Sequence, residues 1–206
     1  QLGEPMSEKV SITVLPNGPI KVSAAKSIKF CGEQLSIEGD AFLCRCGKSK
    51  NAPFCDGSHV EAGFSGDNQP VEKKDLVVWE GKELRTYLNP NTCMHAFYCK
   101  PLNKLREQEL GGDTASGAEI MRVVRSCPSG ALTYEVKGEA TESGATAFDA
   151  DIDIVEGGEV RVQCAFEINE NLLERQQENR ATLCRCGQSK NKPWCDGRHK
   201  ALKDFR

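Results

Sequence analysis

One 17-residue segment occurs twice in this chain, as LCRCGKSKNAPFCDGSH at 43–59 and as LCRCGQSKNKPWCDGRH at 183–199. Thirteen of the 17 positions are identical, and each copy spaces three cysteines and one histidine as C-x-C-x8-C-x3-H. The residues are Cys44, Cys46, Cys55 and His59 in the first copy, and Cys184, Cys186, Cys195 and His199 in the second. Two of the chain's three histidines stand inside these segments, an economy that marks them as ligands rather than packing. The register continues upstream, where an offset of 140 residues sets Gly18 on Gly158, Ile20 on Val160 and Val22 on Val162 without a gap. The duplicated unit is therefore a domain of roughly 50–60 residues. So small a unit buries too little core to be comfortable alone. A bound metal centre and packing against the sister copy are the usual remedies, so an internal pair is expected.

The rest of the composition narrows the classes. A chain of 206 residues has room for two or three units. Its net charge of −3 argues against nucleic acid as the main partner. No apolar run approaches the ~20 residues of a membrane span, and no stretch has a signal-peptide pattern. Gln1–Pro5 read as an artificial leader before a native start at Met6. A reducing compartment, by default the bacterial cytoplasm, is expected, and there 11 cysteines serve as ligands rather than disulfides. Polar, glycine-bearing stretches at 62–75 and 137–149 mark two joints. The expected domains are 6–64, 76–136 and 147–206.

Within each cassette the spacing suggests how the ligands meet. Cys44 and Cys46, two apart in an extended stretch, share a side, and Gly47 frees the backbone to turn. Cys55 and His59 share a face if they lie on one helical turn. Asp56 is placed to cap that turn, whose N–H groups would face an anionic centre. Pro53 stiffens the intervening loop. Three cysteines and a histidine are an ordinary zinc set, although zinc sites usually pair cysteines as C-x2–4-C. Buried structural cysteines would not repeat their spacing. An iron–sulfur cluster is the third chemistry open to this set.

Both cassettes resemble the CDGSH iron–sulfur domain of the mitoNEET family, with CDGSH itself at 55–59 and CDGRH at 195–199. The resemblance implies a 2Fe–2S cluster in each, with Cys44 and Cys46 on the inner iron and Cys55 and His59 on the outer. It likewise implies Cys184 and Cys186 on one iron, with Cys195 and His199 on the other. Arg198 departs from the family's small residue, and a cation there would set the two potentials apart. The family fold is a small β-rich unit that pairs two copies. The implied fold class is thus α+β and β-rich: two CDGSH β units forming an intramolecular pseudo-dimer, with a ferredoxin-like α+β domain inserted between them. Val10–Val14 and Ile20–Val22 would be strands of one half, and Ile152–Val155 and Val160–Val162 those of the other.

The insert has its own cysteines. Ile120, Met121, Val123 and Val124 pattern a short amphipathic helix, and Cys127-Pro128 follows it, a step seen in bacterial-type ferredoxins. Cys93 and Cys99 match the ferredoxin run with its middle ligand replaced by Ala96. The segment resembles the divergent single-cluster ferredoxin domains, which implies Cys93, Cys99 and Cys127 as ligands of a 3Fe–4S or 4Fe–4S cluster. His95 is the nearest fourth ligand, set against its reading as a surface histidine. Cys31 and Cys164 lack counterparts, Asn171 and Ala24 standing in their places, and read as buried or spare thiols.

No nucleotide loop or nucleophile–base set is present, which argues for a carrier rather than an enzyme. Electron transfer to a redox partner protein is the expected role, by a monomer holding its own pseudo-dimer. Donation of a cluster to an apo iron–sulfur acceptor is the alternative, and a zinc-stabilised interaction module the third class. A histidine ligand raises cluster potential and couples reduction to proton uptake.

Overall fold

The computed structural model describes residues 9–68, 72–138, 150–170 and 179–205. In the first repeat, β1 (Val10–Val14) and β2 (Ile20–Ser23) form an antiparallel hairpin. Val10, Ile12 and Val14 point into the core while Ser11 and Thr13 are half-buried, the period-2 pattern of a strand with one covered face. β3 (Ile28–Phe30) and β4 (Glu33–Gln34) follow, then β5 (Ala41–Leu43), which leads into the cassette, and the short helix α1 (Ser58–Glu61). The second repeat supplies β9 (Ile152–Ile154), β10 (Val160–Val162), β11 (Phe166–Ile168) and β12 (Ala181–Leu183), with a 3-10 turn at Arg198–Ala201. Residues 69–71 and 139–149, within the two expected joints, and Asn171 lie outside the described residues.

The two repeats do more than lie side by side, because they exchange strands. One sheet runs β11-β1-β2-β5 and the other β12-β10-β9-β3-β4. Thus β3 leaves its own half to pair parallel with β9, and β11 pairs parallel with β1. The registers Ile28↔Ile152 and Ile168↔Ile12 map onto each other under the same 140-residue offset. Side chains pin the exchange. The Asn169 amide accepts from Val14 N at 2.7 Å and donates to Val14 O at 3.2 Å. Asp151 Oδ2 accepts from Lys26 N at 2.7 Å and Ser27 N at 3.2 Å. As a result one apolar cluster unites both halves, including Ile12, Ile20, Ile28 and Leu43 from one and Ile152, Ile154, Val160 and Leu183 from the other.

The insert is a separate layer. Strands β6 (Val77–Glu80), β7 (Leu84–Leu88) and β8 (Leu132–Val136) form an antiparallel sheet. Helices α2 (Leu102–Leu110) and α3 (Thr114–Arg125) accompany it. The core joins Leu84, Leu102, Ile120, Val123, Val124, Leu132 and Tyr134. Asp113 caps α3 by accepting from Ala115 N at 3.0 Å. The sequence reading did not foresee α2. Glu109 of that helix is buried and caps the β6–β7 turn, accepting from Lys82 N at 3.0 Å and Glu83 N at 2.8 Å. Among the described residues, no helix is long and apolar enough to cross a membrane.

Candidate metal centres

Each cassette is built on the end of a strand. β5 delivers Cys44, and the chain returns so that Cys44 N donates to Pro53 O at 2.8 Å and Cys55 N to Phe42 O at 2.8 Å. The second copy repeats this with Cys184 N to Pro193 O at 2.7 Å and Cys195 N to Thr182 O at 2.9 Å. The folded-back loop brings the candidate ligands of each copy together in two pairs. Cys44 Sγ and Cys46 Sγ are 3.7 Å apart, and Cys184 Sγ and Cys186 Sγ 3.8 Å. Cys55 Sγ stands 3.4 Å from His59 Nδ1, and Cys195 Sγ 3.4 Å from His199 Nδ1.

The histidine meets its cysteine by a route other than the expected shared helical face. Cys55 precedes α1, and Gly57, at φ 88, occupies the cap position. Asp56 instead ties the loop together, accepting from Lys50 N at 2.8 Å and Ser58 N at 3.0 Å. The bend is an Asx-type turn rather than an N-cap. Asp196 does the same with Lys190 N and Arg198 N at 3.0 and 3.3 Å. A four-residue helix has little macrodipole to offer. The N–H groups that reach sulfur belong to Lys48, Gln188 and Gly197, at 3.4, 3.5 and 3.4 Å.

The two cassettes stand back to back. Gly47, at φ 72, runs so close that a Cβ would lie 2.6 Å from Cys186 O; one on Gly187 would lie 2.8 Å from Cys46 O. The arginine between each cysteine pair is anchored within its own half. Arg45 is buried and donates to Gly18 O and Leu15 O, and Arg185 donates to Gly158 O and Val155 O. Cys184 is the strongest opposite charge acting on Arg45, and Cys44 the strongest acting on Arg185. Each half thus holds a buried cation whose strongest opposite charge is a cysteine of the other half. The sequence carried the signal, an identical C-R-C in both copies, but ligand spacing alone gave the arginine no role.

The donor set fits a cluster. Burial pushes the Cys46 thiol up to about 11 and Cys195 up to about 12. Cys186 is raised by its hydrogen bond with Cys184 and by burial. Its partner Cys184 is lowered to about 6 by that same hydrogen bond, so the pair holds a thiolate beside a thiol, and bound metal ions would supply the positive charge that releases the raised protons.

The insert brings its three cysteines to one pocket, lined also by Leu88, Met94, His95, Ala96, Phe97, Tyr98, Pro128, Ser129 and Leu132. Burial and the charges of Cys127 and Cys99 raise the Cys93 thiol. His95 and Phe97 take left-handed conformations, φ 54 and 62, which wind the 93–99 loop around the pocket. His95 lines the pocket but is exposed, its Nδ1 3.9 Å from Cys93 Sγ. Cys31 is exposed and Cys164 half-buried, with its thiol pushed up to about 12 by burial.

The two cassettes differ in surroundings. Cys195 and His199 are buried, whereas Cys55 and His59 are half-buried. The insert covers the second cassette: Lys200 Nζ donates to Met94 O at 3.4 Å and His95 O at 2.5 Å. Gly197 is packed so tightly there that a Cβ would stand 2.5 Å from Met94 O. Arg198, expected to load the outer ligand with positive charge, is held by its own Asp196, Nε to Oδ2 at 2.9 Å. The group that distinguishes the second site is one the sequence reading overlooked, Glu159, whose carboxylate approaches His199 Nε2 at 3.4 Å. Glu159, Cys195 and His199 bring ligand-type atoms within 4.8 Å of one another.

Comparison with known proteins agrees with this architecture. The family described as iron-binding zinc finger, CDGSH type, matches residues 17–60 and 154–200, and the divergent 4Fe–4S mono-cluster family matches 79–137. The chain is an iron–sulfur protein in which two CDGSH-type domains flank a divergent 4Fe–4S mono-cluster domain. Two curated relatives are CDGSH iron-sulfur domain-containing protein 2 homologs, from Drosophila persimilis and Drosophila pseudoobscura pseudoobscura. Each is 43% identical over 53 residues, which cover 25% of this chain and 39% of the relative. The match thus spans well under half the length of those relatives. No solved structure matches the chain.

Proposed function

We propose that the protein is an electron carrier rather than an enzyme, holding a 2Fe–2S cluster in each CDGSH cassette and a 4Fe–4S or 3Fe–4S cluster in the middle domain. The ligands are Cys44, Cys46, Cys55 and His59, then Cys184, Cys186, Cys195 and His199, and in the middle domain Cys93, Cys99 and Cys127. His95 is the nearest group to a fourth middle ligand. When bound, such clusters supply one-electron redox chemistry. The observation that carries the reading is the packing of the 93–99 loop on Gly197 and Lys200, which joins the middle pocket to the second cassette in one continuous contact.

The remaining residues suit the task. Arg45 and Arg185 set fixed positive charge beside sulfur without solvent, and backbone N–H groups of Lys48, Gln188 and Gly197 donate to sulfur, so little needs to reorganise when charge changes. Lys200 holds the middle loop in place. Eleven cysteines, all free thiols, favour a reducing compartment, for which we propose the bacterial cytoplasm. A redox protein is the expected partner.

Cluster donation to an apo acceptor is a second reading, favoured by the half-buried Cys55 and His59. The two separate on mixing. Reduced protein offered an oxidised one-electron acceptor should reduce it and keep its own visible absorbance. Transfer of 2Fe–2S absorbance to apo-ferredoxin, without reduction of the redox acceptor, would favour donation and sink the carrier.

A further inference from the structure

Glu159 belongs to neither cassette, yet only 2% of it is exposed, an expensive place for a carboxylate without work to do. Its two oxygens are both engaged. Oε1 accepts from Arg161 Nε at 2.7 Å, which aims the group, and Oε2 faces His199 Nε2 at 3.4 Å. The other ring nitrogen, Nδ1, is turned to Cys195 Sγ at 3.4 Å. A carboxylate facing Nε2 favours the proton on that nitrogen, the tautomer whose free lone pair is on Nδ1, the side of Cys195.

The first half has no such group. The 140-residue offset sets Pro19 under Glu159, and among the described residues no carboxylate stands within ion-pair reach of His59. The two imidazoles also differ in burial, His199 being 7% exposed and His59 half-buried.

We propose that Glu159 is a positioning residue for His199 that makes the two CDGSH sites unequal, so that the second holds its cluster more firmly and at a lower potential than the first. Both consequences have the same cause. An anchored, electron-rich imidazole binds metal more tightly, and a buried anion beside it disfavours added negative charge. The Lys200, Arg185 and Asp196 charges also act on His199, but all of them remain when Glu159 is changed. Taking Glu159 away leaves Arg161 without its counter-charge, which pushes the potential the same way. The inference rests on the cassettes carrying iron–sulfur clusters and is indifferent to whether electrons or clusters are passed on.

The test is a redox titration of the anaerobic holoprotein followed by EPR, for wild type, Glu159→Gln and Glu159→Leu. Wild type should resolve two CDGSH midpoints. Glu159→Gln should raise only the lower one, and Glu159→Leu should in addition weaken retention of one cluster against a chelator by roughly 10–100-fold. His59→Cys assigns the other midpoint to the first site. The proposal is overturned if the Glu159 variants leave both midpoints in place or move both equally. Should the variants fail to load, wild type with 15N-labelled histidine decides. Two sets of imidazole nitrogen couplings in the reduced protein are expected, and a single set contradicts the proposal. Iron-free protein would instead count against the cluster assignment itself.

Discussion

At the scale of single residues, the account turns on a few side chains and one glycine. Gly47→Ala puts a Cβ at φ 72 and 2.6 Å from Cys186 O, combining backbone strain with a backbone clash across the pseudo-dimer. It should cost roughly 1–3 kcal/mol of stability and lower iron in both cassettes, read by thermal melting and iron analysis. A variant that melts and loads like wild type would contradict the back-to-back packing. Asp56 supplies a pH dependence. Its carboxyl is held down to about 2 by hydrogen bonds from the Ser58 hydroxyl and the Lys50 and Ser58 backbone. Because the folded value lies below the ordinary 3.8, its anchoring is complete above that pH and is lost as pH falls towards 2. Asp56→Asn should lose iron from the first site faster even at neutral pH, while the second site keeps its rate, as followed by visible absorbance with a chelator. His59→Cys should lower one potential, since a thiolate replaces the imidazole; potentials that both stay in place would contradict a histidine ligand. The candidate ligands were legible because C-x-C and C-x3-H spacings are local. Glu159 was not, because its partner His199 is 40 residues away and the repeat places a proline at the matching site.

At the scale of elements, the exchanged strands carry the argument. β3 has only three residues, yet Ile28 is 4% exposed and sits opposite Ile152 of the other half. Ile28→Ala should therefore cost roughly 2–5 kcal/mol and destabilise both halves together. Denaturation followed by far-UV circular dichroism and by cluster absorbance should shift as one transition; loss confined to the first cassette would argue against the exchange. The family resemblance placed strands at β1, β2, β9 and β10, and the apolar spacing of Ile120, Met121, Val123 and Val124 revealed α3. The exchange itself stayed hidden, because a three-residue strand has no pattern that says which sheet edge it joins. α2 was missed for a different reason. One of its buried positions is Glu109, a carboxylate satisfied by turn amides, so the apolar period that betrays a helix is broken there.

At the scale of the whole molecule, side-chain contacts among the described residues fasten the insert to the second half. Arg180 is fully buried ahead of β12 and donates from Nη1 to Cys127 O at 3.2 Å, Val124 O at 3.4 Å and Arg125 O, all at the C-terminal end of α3. That end of a helix favours a cation, and a hydrogen bond from a charged donor contributes roughly 1.5–3 kcal/mol. Arg180→Met should loosen the middle domain from the second half. Hydrogen exchange should rise over residues 94–100 and at Lys200, with the β1–β2 hairpin unaffected; unchanged protection would mean that Arg180 does not hold the domains together. The three-part organisation could be read from the repeat and the composition of the joints. The docking onto the second half could not, because it joins residues far apart in the chain, such as Arg180 with Cys127 and Lys200 with Met94. The central claim is that this one chain carries three iron–sulfur centres. Its most direct test is iron, acid-labile sulfide and zinc per chain on anaerobically purified protein, with EPR before and after dithionite. The account predicts about seven or eight irons with matching sulfide, seven with a signal in the oxidised state and eight with one only after reduction. About four irons would leave the middle pocket without a cluster, and zinc in place of iron would contradict the account outright.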